Sequence, residues 1–447
     1  MHLKKNLIMK KYKVSAVACL CALSYGQTFA GEAMEPSIGE AMEPSLGEAI
    51  GSAEDPFADR LLGDWGGART RLADFGLSID LDGWYHLQGV ADGGGHTGTD
   101  VGNLFSGQLG INFNTGKAGL WQGGHLSLRV DGRAGDSVLE KARTTSPVNT
   151  TALFPLVPGR SGEDAWAISE LKYVQLLSEK FALMGGLLST DHADANAIAG
   201  YIGSRSHFMN TAMLASPVVV STAPTVTLGG GAIWHPTENV EGSFLVIGSN
   251  ETAGTNPFEN YEGTTFATEW KFEHHLGERP GGIVIGGTYG INQERLRINE
   301  DPRILFHDVL MGDSATTDED SWSVYWNGHQ YIQGDESGGW GVFGRLGFSD
   351  GSVINPIDWH AAGGIGGVGL LPNRENDRWG LGVYYQKFAD GGRIDLAGID
   401  SEVGGELFYN LQVTPSANLT FDLQVIDSAL PHVEDAVVVG LSLGVRF

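Results

Sequence analysis

Charged residues recur at two-residue spacing inside otherwise alternating stretches of this chain: Arg129, Asp131 and Arg133; Glu170 and Lys172; Glu269 and Lys271. Arg345, Glu406 and Asp422 sit singly in stretches of the same kind. Carboxylates accept, and guanidinium forks donate, paired hydrogen bonds. A surface carrying both signs can therefore hold an uncharged, hydroxyl-rich solute by its donors and acceptors. The blander reading is a row of solvated charges along a wet wall, only a few of which touch a solute. Covalent chemistry is poorly provided for. The only cysteines, Cys19 and Cys21, lie near the N-terminus. Neither a nucleophile elbow nor a His-Glu-x-x-His zinc helix is expected. Scattered acids could form a glycosidase pair, but any wet interior contains acids. His192, between Asp191 and Asp194, is a weak metal-ligand set, and Asp313, Asp318, Glu319 and Asp320 lack the glycine-centred spacing of a calcium loop. No cofactor and no metal are expected.

The elements that must position these residues are strands. From Leu77 the apolar period is two: Leu77, Ile79, Leu81, Gly83, Tyr85 and Leu87 share one face, and Ser78, Asp80, Asp82, Trp84, His86 and Gln88 the other. The pattern recurs to the C-terminal strand, where Val437, Val439, Leu441, Leu443 and Val445 alternate with small or polar residues before Phe447. The alternation predicts sixteen strands. The first eight lie near 77–90, 104–114, 124–133, 164–177, 180–189, 225–235, 240–249 and 263–273. The second eight lie near 281–292, 321–333, 340–349, 359–371, 378–388, 402–413, 417–426 and 436–447. Most approach the ten residues that a tilted membrane strand needs.

Upstream, five lysines precede an apolar run from Val14 to Leu23 and a cleavage site at Thr28-Phe29-Ala30, so residues 1–30 read as a secretory signal peptide. That run is too short to cross a bilayer as a helix. Its removal takes both cysteines and five of 28 basic residues, and against 54 acids leaves a net charge of −31. Such a charge excludes nucleic acid as a partner. Residues 31–54 form an acidic leader of imperfect octads, Gly-Glu-Ala-Met-Glu-Pro-Ser-Ile and its copies. Residues 55–76 read as a periplasmic segment with a short helix over 68–75, and residues 77–447 as the strand domain.

Long and short connections alternate along that domain, as they do in bacterial barrels with short periplasmic turns and long outer loops. In lipid every backbone group must be paired and the outward face must be apolar. The apolar faces therefore meet lipid, and the charged faces, where a basic residue in lipid would cost roughly 2–4 kcal/mol, look into a lumen. The fold class expected is all-β, a transmembrane antiparallel barrel of about sixteen strands, wide enough to leave an aqueous channel.

The stretch Gly63-Asp64-Trp65-Gly66-Gly67-Ala68-Arg69-Thr70-Arg71-Leu72, with Phe75-Gly76, resembles the N-terminal motif of the carbohydrate-selective porins of the OprB type. Trp234 to Asn239, Gly344 to Asp350 and Glu406 to Gln424 carry looser likeness in the same order. Two departures are the octad leader and Phe421, which stands where a proline is common. The resemblance implies an outer-membrane barrel that admits mono- or oligosaccharides by diffusion, its lumen narrowed by charged side chains and loops. Phe447 would then form part of the signal read by the barrel-assembly machinery, as in similar barrels. The rival reading is a general or cation-preferring porin, favoured by the net charge; a barrel hydrolase is remote. If the strands close a barrel, unheated protein migrates on a detergent gel apart from boiled protein, whereas identical migration of the two samples would refute closure.

Overall fold

Each of sixteen strands pairs antiparallel with its neighbour in sequence, and the first pairs with the last to close the ring. The computed structural model describes residues 57–95, 100–158, 164–219, 223–259, 262–296, 316–351 and 355–447. The expected signal peptide and octad leader lie outside the described residues. The strands are β1 (Leu77–Gly94), β2 (Asp100–Asn114), β3 (Gly124–Gly135), β4 (Ala165–Ser178), β5 (Phe181–Ser189), β6 (Val226–Thr237), β7 (Val240–Gly248) and β8 (Thr264–Leu276). They continue as β9 (Arg279–Leu296), β10 (Thr316–Asp335), β11 (Gly338–Ser349), β12 (Ile357–Val368), β13 (Arg378–Phe388), β14 (Ser401–Thr414), β15 (Ala417–Asp427) and β16 (Glu434–Arg446). A helix, α1 (Ala68–Asp74), precedes β1. Among the described residues no helix is long and apolar enough to cross a membrane.

Period-two patterning explains the ring. Leu87, Leu443, Phe421 and Leu407 are exposed on its outer surface, while Gln88, Ser442, Asp422 and Glu406, one residue away, are buried inside. Two departures from simple alternation matter. The register between β3 and β4 slips between Arg129 and Val130, so that Arg129 faces Glu170 while Val130 faces Ile168. This bulge turns Ser169 and Glu170 inward together and resets the parity that brings Lys172 in behind them. The β9–β10 hairpin is longer than expected, because pairing runs on to Leu296 and Thr316. Gln293, bonded to Ser321 at 3.0 Å, continues the inner face beyond the expected strand end at residue 292.

A sixteen-stranded ring is too wide for wall side chains to fill, and two connections at its long-loop end fold into it. Residues 138–157 and 190–219 are buried or half-buried except at Glu140. Phe208 packs between Phe343 and Phe408 of the wall, with centroids 5.4 and 4.8 Å away, in a cluster with Met213, Leu214, Tyr331 and Tyr384. Val138, Ala142 and Val148 pack on Val90, Ile426 and Val438, and Phe154 joins the two connections through Ile202 and Ala215. The inner wall is therefore not uniformly polar. It carries apolar patches where chain covers it, each large side chain contributing about 1.5–3 kcal/mol.

Gly286 shows how closely the inner layer is fitted. A Cβ there would stand 2.0 Å from the Tyr325 ring, whose hydroxyl donates to Glu269 at 2.7 Å. Gly286→Ala is therefore expected to cost about 1–3 kcal/mol, the usual range for overpacking, and to lower the temperature of the gel-mobility transition. Gly110→Ala, where a Cβ meets nothing within 4 Å, should leave that transition unchanged; equal effects at the two positions would contradict this packing.

Candidate functional site: the constricted lumen

The wall charges are bound to infolded backbone. Arg345 on β11, 1% exposed, donates to the carbonyls of Asp194 at 2.6 Å, Gly200 at 2.9 Å and Met213 at 3.1 Å. It also pairs with the Asp194 carboxylate at 2.5 Å. Asp194 accepts from Ser216 N at 2.8 Å and from the Asn327 amide. Glu269 on β8 accepts the N–H of Asp194 at 2.8 Å, and Lys271 bridges Glu269, at 3.8 Å, to Glu241, at 3.1 Å. Across the ring, Glu406 on β14 accepts the N–H groups of Met209 and Asn210 at 2.6 and 2.9 Å. Asp422 beside it accepts from Gln424 at 2.9 Å and Gln88 at 3.5 Å.

The other expected residues form a second group. Arg129 contacts Asp131 and Ser169, each at 3.0 Å, Ser189 at 2.6 Å and Asp191 at 2.9 Å. Asp131 also accepts from Gln108 at 3.0 Å. Glu170 and Lys172 pair at 3.2 Å. Arg133 donates to the carbonyls of Leu153 and of Pro155, the latter at 2.6 Å, and so holds the 138–157 connection. Burial alone would raise the Asp191 carboxyl, but Arg129 and His192 beside it hold it well below the usual carboxylate range.

Two anchors were not among the expected residues. Glu402 accepts Thr145 N at 2.6 Å, Ser146 N at 2.8 Å and the Tyr384 hydroxyl at 2.9 Å. It shares the parity of Glu406, so alternation could have found it. Glu251, in the connection after β7, accepts Thr225 N at 2.8 Å and Val226 N at 3.1 Å, and burial pushes its carboxyl up to about 7. No pattern in the sequence singles it out.

Space for a solute lies elsewhere. A cavity of about 390 Å³ opens at the short-turn end, between residues 201–207 of the infolded connection and the walls of β1, β2 and β13–β16. Such a volume falls in the ~300–1,000 Å³ range of small-molecule clefts. Its lining includes Asp82, Trp84, Gln108, Tyr201, Arg205, His207, Arg378 and Asn410. None of the ten residues singled out by spacing lines it; Asp131 reaches its edge through Gln108. The Arg205 guanidinium lies 5.2 Å from the centre of the Trp84 ring, and among the described residues its Nε has no hydrogen-bond partner. The chemistry offered is an aromatic face flanked by a fork of donors and by amide and carboxylate acceptors.

Two weak motifs resolve structurally. His192 bonds Asp191 at 2.9 Å, but Asp194 turns to Arg345, and among the described residues no group of three potential ligands could hold a metal ion. Asp313 lies outside the described residues, and Asp320 accepts from the Tyr289 hydroxyl and Asn292 N. One motif corrects the sequence reading: Gly347-Phe348-Ser349-Asp350-Gly351 has the letters of a nucleophile elbow. Ser349, however, is the last residue of β11, the chain goes on to strand β12, and its hydroxyl donates to the Ile357 carbonyl.

If Arg345 anchors the constriction, Arg345→Ala leaves Asp194 buried without its cation, a loss of about 3–5 kcal/mol for a broken buried pair. The expected outcome is a barrel that still forms but conducts more in planar bilayers and opens residues 190–219 to added protease. Unchanged conductance and protection would contradict the anchoring role.

The sequence profile of the carbohydrate-selective porin, OprB family, matches residues 99–447. No curated protein matches the chain in sequence. Among solved structures, OprB of Pseudomonas putida at high pH aligns with a TM-score of 0.74 and 19% identity, covering 90% of this chain and 100% of that one. Its low-pH structure aligns at 0.55 with 16% identity, covering 87% and 98%. At such identities these alignments speak for the fold, a closed porin barrel; the profile match speaks for kinship. By that match the chain, a closed ring of sixteen strands, belongs to the carbohydrate-selective porin, OprB family.

Proposed function

We propose that the chain carries sugars passively across the outer membrane, through the gap that the infolded connections leave beside the wall of β1, β2 and β13–β16. The family and the closed barrel imply the outer membrane and a channel rather than an enzyme. The observation that carries the finer reading is the cavity lined by Trp84, Arg205 and Asn410. A sugar presents an apolar ring face and a rim of hydroxyls. Trp84 serves the face, and the Arg205 fork, Gln108 and Asn410 serve the rim.

The ten charged positions divide by role in this account. Arg133, Glu269, Arg345 and Glu406 position the connections, and Lys271 and Asp422 neutralise or support them. Arg129, Asp131, Glu170 and Lys172 set the field beside the passage. The cation-preferring alternative draws on the net charge of −31 that remains once the signal segment takes five of 28 basic residues, set against 54 acids. Against it, the buried acids of the wall are already engaged with N–H groups, guanidinium or ammonium. The outward apolar face meets lipid, and Phe447 serves the assembly machinery.

Reconstitution in planar bilayers tests the proposal. Added mono- or oligosaccharide is expected to block ion conductance, and Trp84→Ala or Arg205→Gln to weaken that block about tenfold each, the equivalent of ~1.4 kcal/mol of lost contact. Conductance indifferent to sugars but strongly cation-selective would replace this reading with a general porin.

A further inference from the structure

The ring has one junction unlike the rest. Fifteen neighbouring pairs of strands are consecutive in sequence and therefore joined by a connection; β1 and β16 are neighbours only in space. Their registers also end unevenly. Pairing between them stops at Asp82 opposite Arg446, while β1 extends back to Leu77. Beyond that point one further bond, Phe447 N to the Leu81 carbonyl at 2.8 Å, continues the junction. Main-chain oxygens of Ile79 and Phe447 are then left at the short-turn end without strand partners among the described residues, and an acceptor left unpaired on folding is costly.

Both are met by one side chain. Arg69 of α1, 4% exposed, donates from Nη2 to the Phe447 carbonyl oxygen at 2.6 Å and to the Ile79 carbonyl at 3.2 Å. Nη1 reaches the Gly63 carbonyl at 3.4 Å. The guanidinium is fixed by the rings of Trp65, 4.4 Å away, and Phe57, 5.4 Å away. The motif around Arg69 builds this seat. Trp65, Gly66 and Gly67 are three successive residues in the left-handed region, at φ 50°, 65° and 84°, a turn that two glycines allow and that lays the indole on Arg69. Asp64 accepts from Thr70 N and its hydroxyl at 2.8 and 2.9 Å, locking the turn to the helix. Around it, Leu61 N donates to the Arg446 carbonyl at 2.8 Å, Arg60 pairs with Asp80 of β1 at 3.0 Å, and Arg446 with Asp59 at 3.3 Å.

We propose that residues 57–74 are a seam clasp, in which Arg69 is a binding site for the backbone carbonyls of both edge strands and holds the ring shut at its one junction lacking a connection. This gives the Gly63–Arg69 motif a task separate from transport and independent of the sugar reading. Nη2 meets both strand ends while Nη1 reaches Gly63, a spread of donors on a long side chain that the shorter glutamine carboxamide cannot span and that the single nitrogen of a lysine meets only in part.

The test couples the clasp to a covalent seam. In protein purified from outer membranes, Leu87→Cys and Leu441→Cys, register partners across the junction, supply a cystine that can be reduced at will. Unfolding in hot detergent is followed by gel mobility, with and without Arg69→Gln. With the cystine reduced, Arg69→Gln is expected to unfold about tenfold faster, the worth of one hydrogen bond from a charged donor; with it oxidised, the two proteins unfold at equal rates. Arg69→Lys is the second variant, usable if Arg69→Gln does not assemble, and should show a smaller acceleration that the cystine again removes. No acceleration, or an acceleration the cystine leaves untouched, would overturn the clasp.

Discussion

Backbone pairing around a closed ring is the constraint on which the rest of this structure depends. Hydrocarbon offers no partner to an N–H or a carbonyl, so each strand must be paired on both sides and the first must meet the last. Closure fixes the alternation, and alternation gives the wall an apolar outside and an inside open to polar residues. Sixteen strands then enclose more room than wall side chains can fill. The protein fills much of it with its own chain, and that chain brings backbone groups that need partners. The charged residues of the inner face are those partners: arginines meet carbonyls, as Arg345 does at Asp194, Gly200 and Met213, and carboxylates meet N–H groups, as Glu406 does at Met209 and Asn210.

The architecture was legible because period two carries it directly. All sixteen strands and their order follow from alternation, and the inward face of β8 or β14 can be counted residue by residue. What periodicity could not show is what the inner face touches. Glu269 and Glu406 look from sequence like groups awaiting a solute, yet their partners are amides more than fifty residues away. Pairing of that kind depends on how connections 138–157 and 190–219 fold, and those stretches have no repeating pattern to read. Period two puts Trp84 on the inner face, but Tyr201, Arg205 and His207 reach the cavity only because the infolded connection carries them there. The parity at Glu170 and Lys172 required a bulge at Ser169 that simple counting does not contain. The elbow-like letters at Gly347–Gly351 are the converse case, a pattern that sits at a strand end with its hydroxyl bonded to a carbonyl rather than on a strand-to-helix turn.

In the reading proposed above, selectivity comes from the inner layer rather than from the barrel itself. The ring supplies width, the infolded chain occupies part of it, and a cavity remains where residues 201–207 face β1, β2 and β13–β16. The same economy appears at the short-turn end. There α1 and the residues before it supply donors to the carbonyls that β1 and β16 leave over. In both places, side chains complete hydrogen bonding that the strand ladder cannot.

The central claim is that the infolded connections are a fixed layer of the wall, held by backbone-to-charge hydrogen bonds. Amide hydrogen exchange in membrane-embedded protein tests it most directly. The N–H groups of Asp194, Met209 and Asn210, donated to Glu269 and Glu406, should exchange as slowly as those of the paired strands. Exchange at the rate of the exposed stretch Asn256–Glu259 would contradict the account.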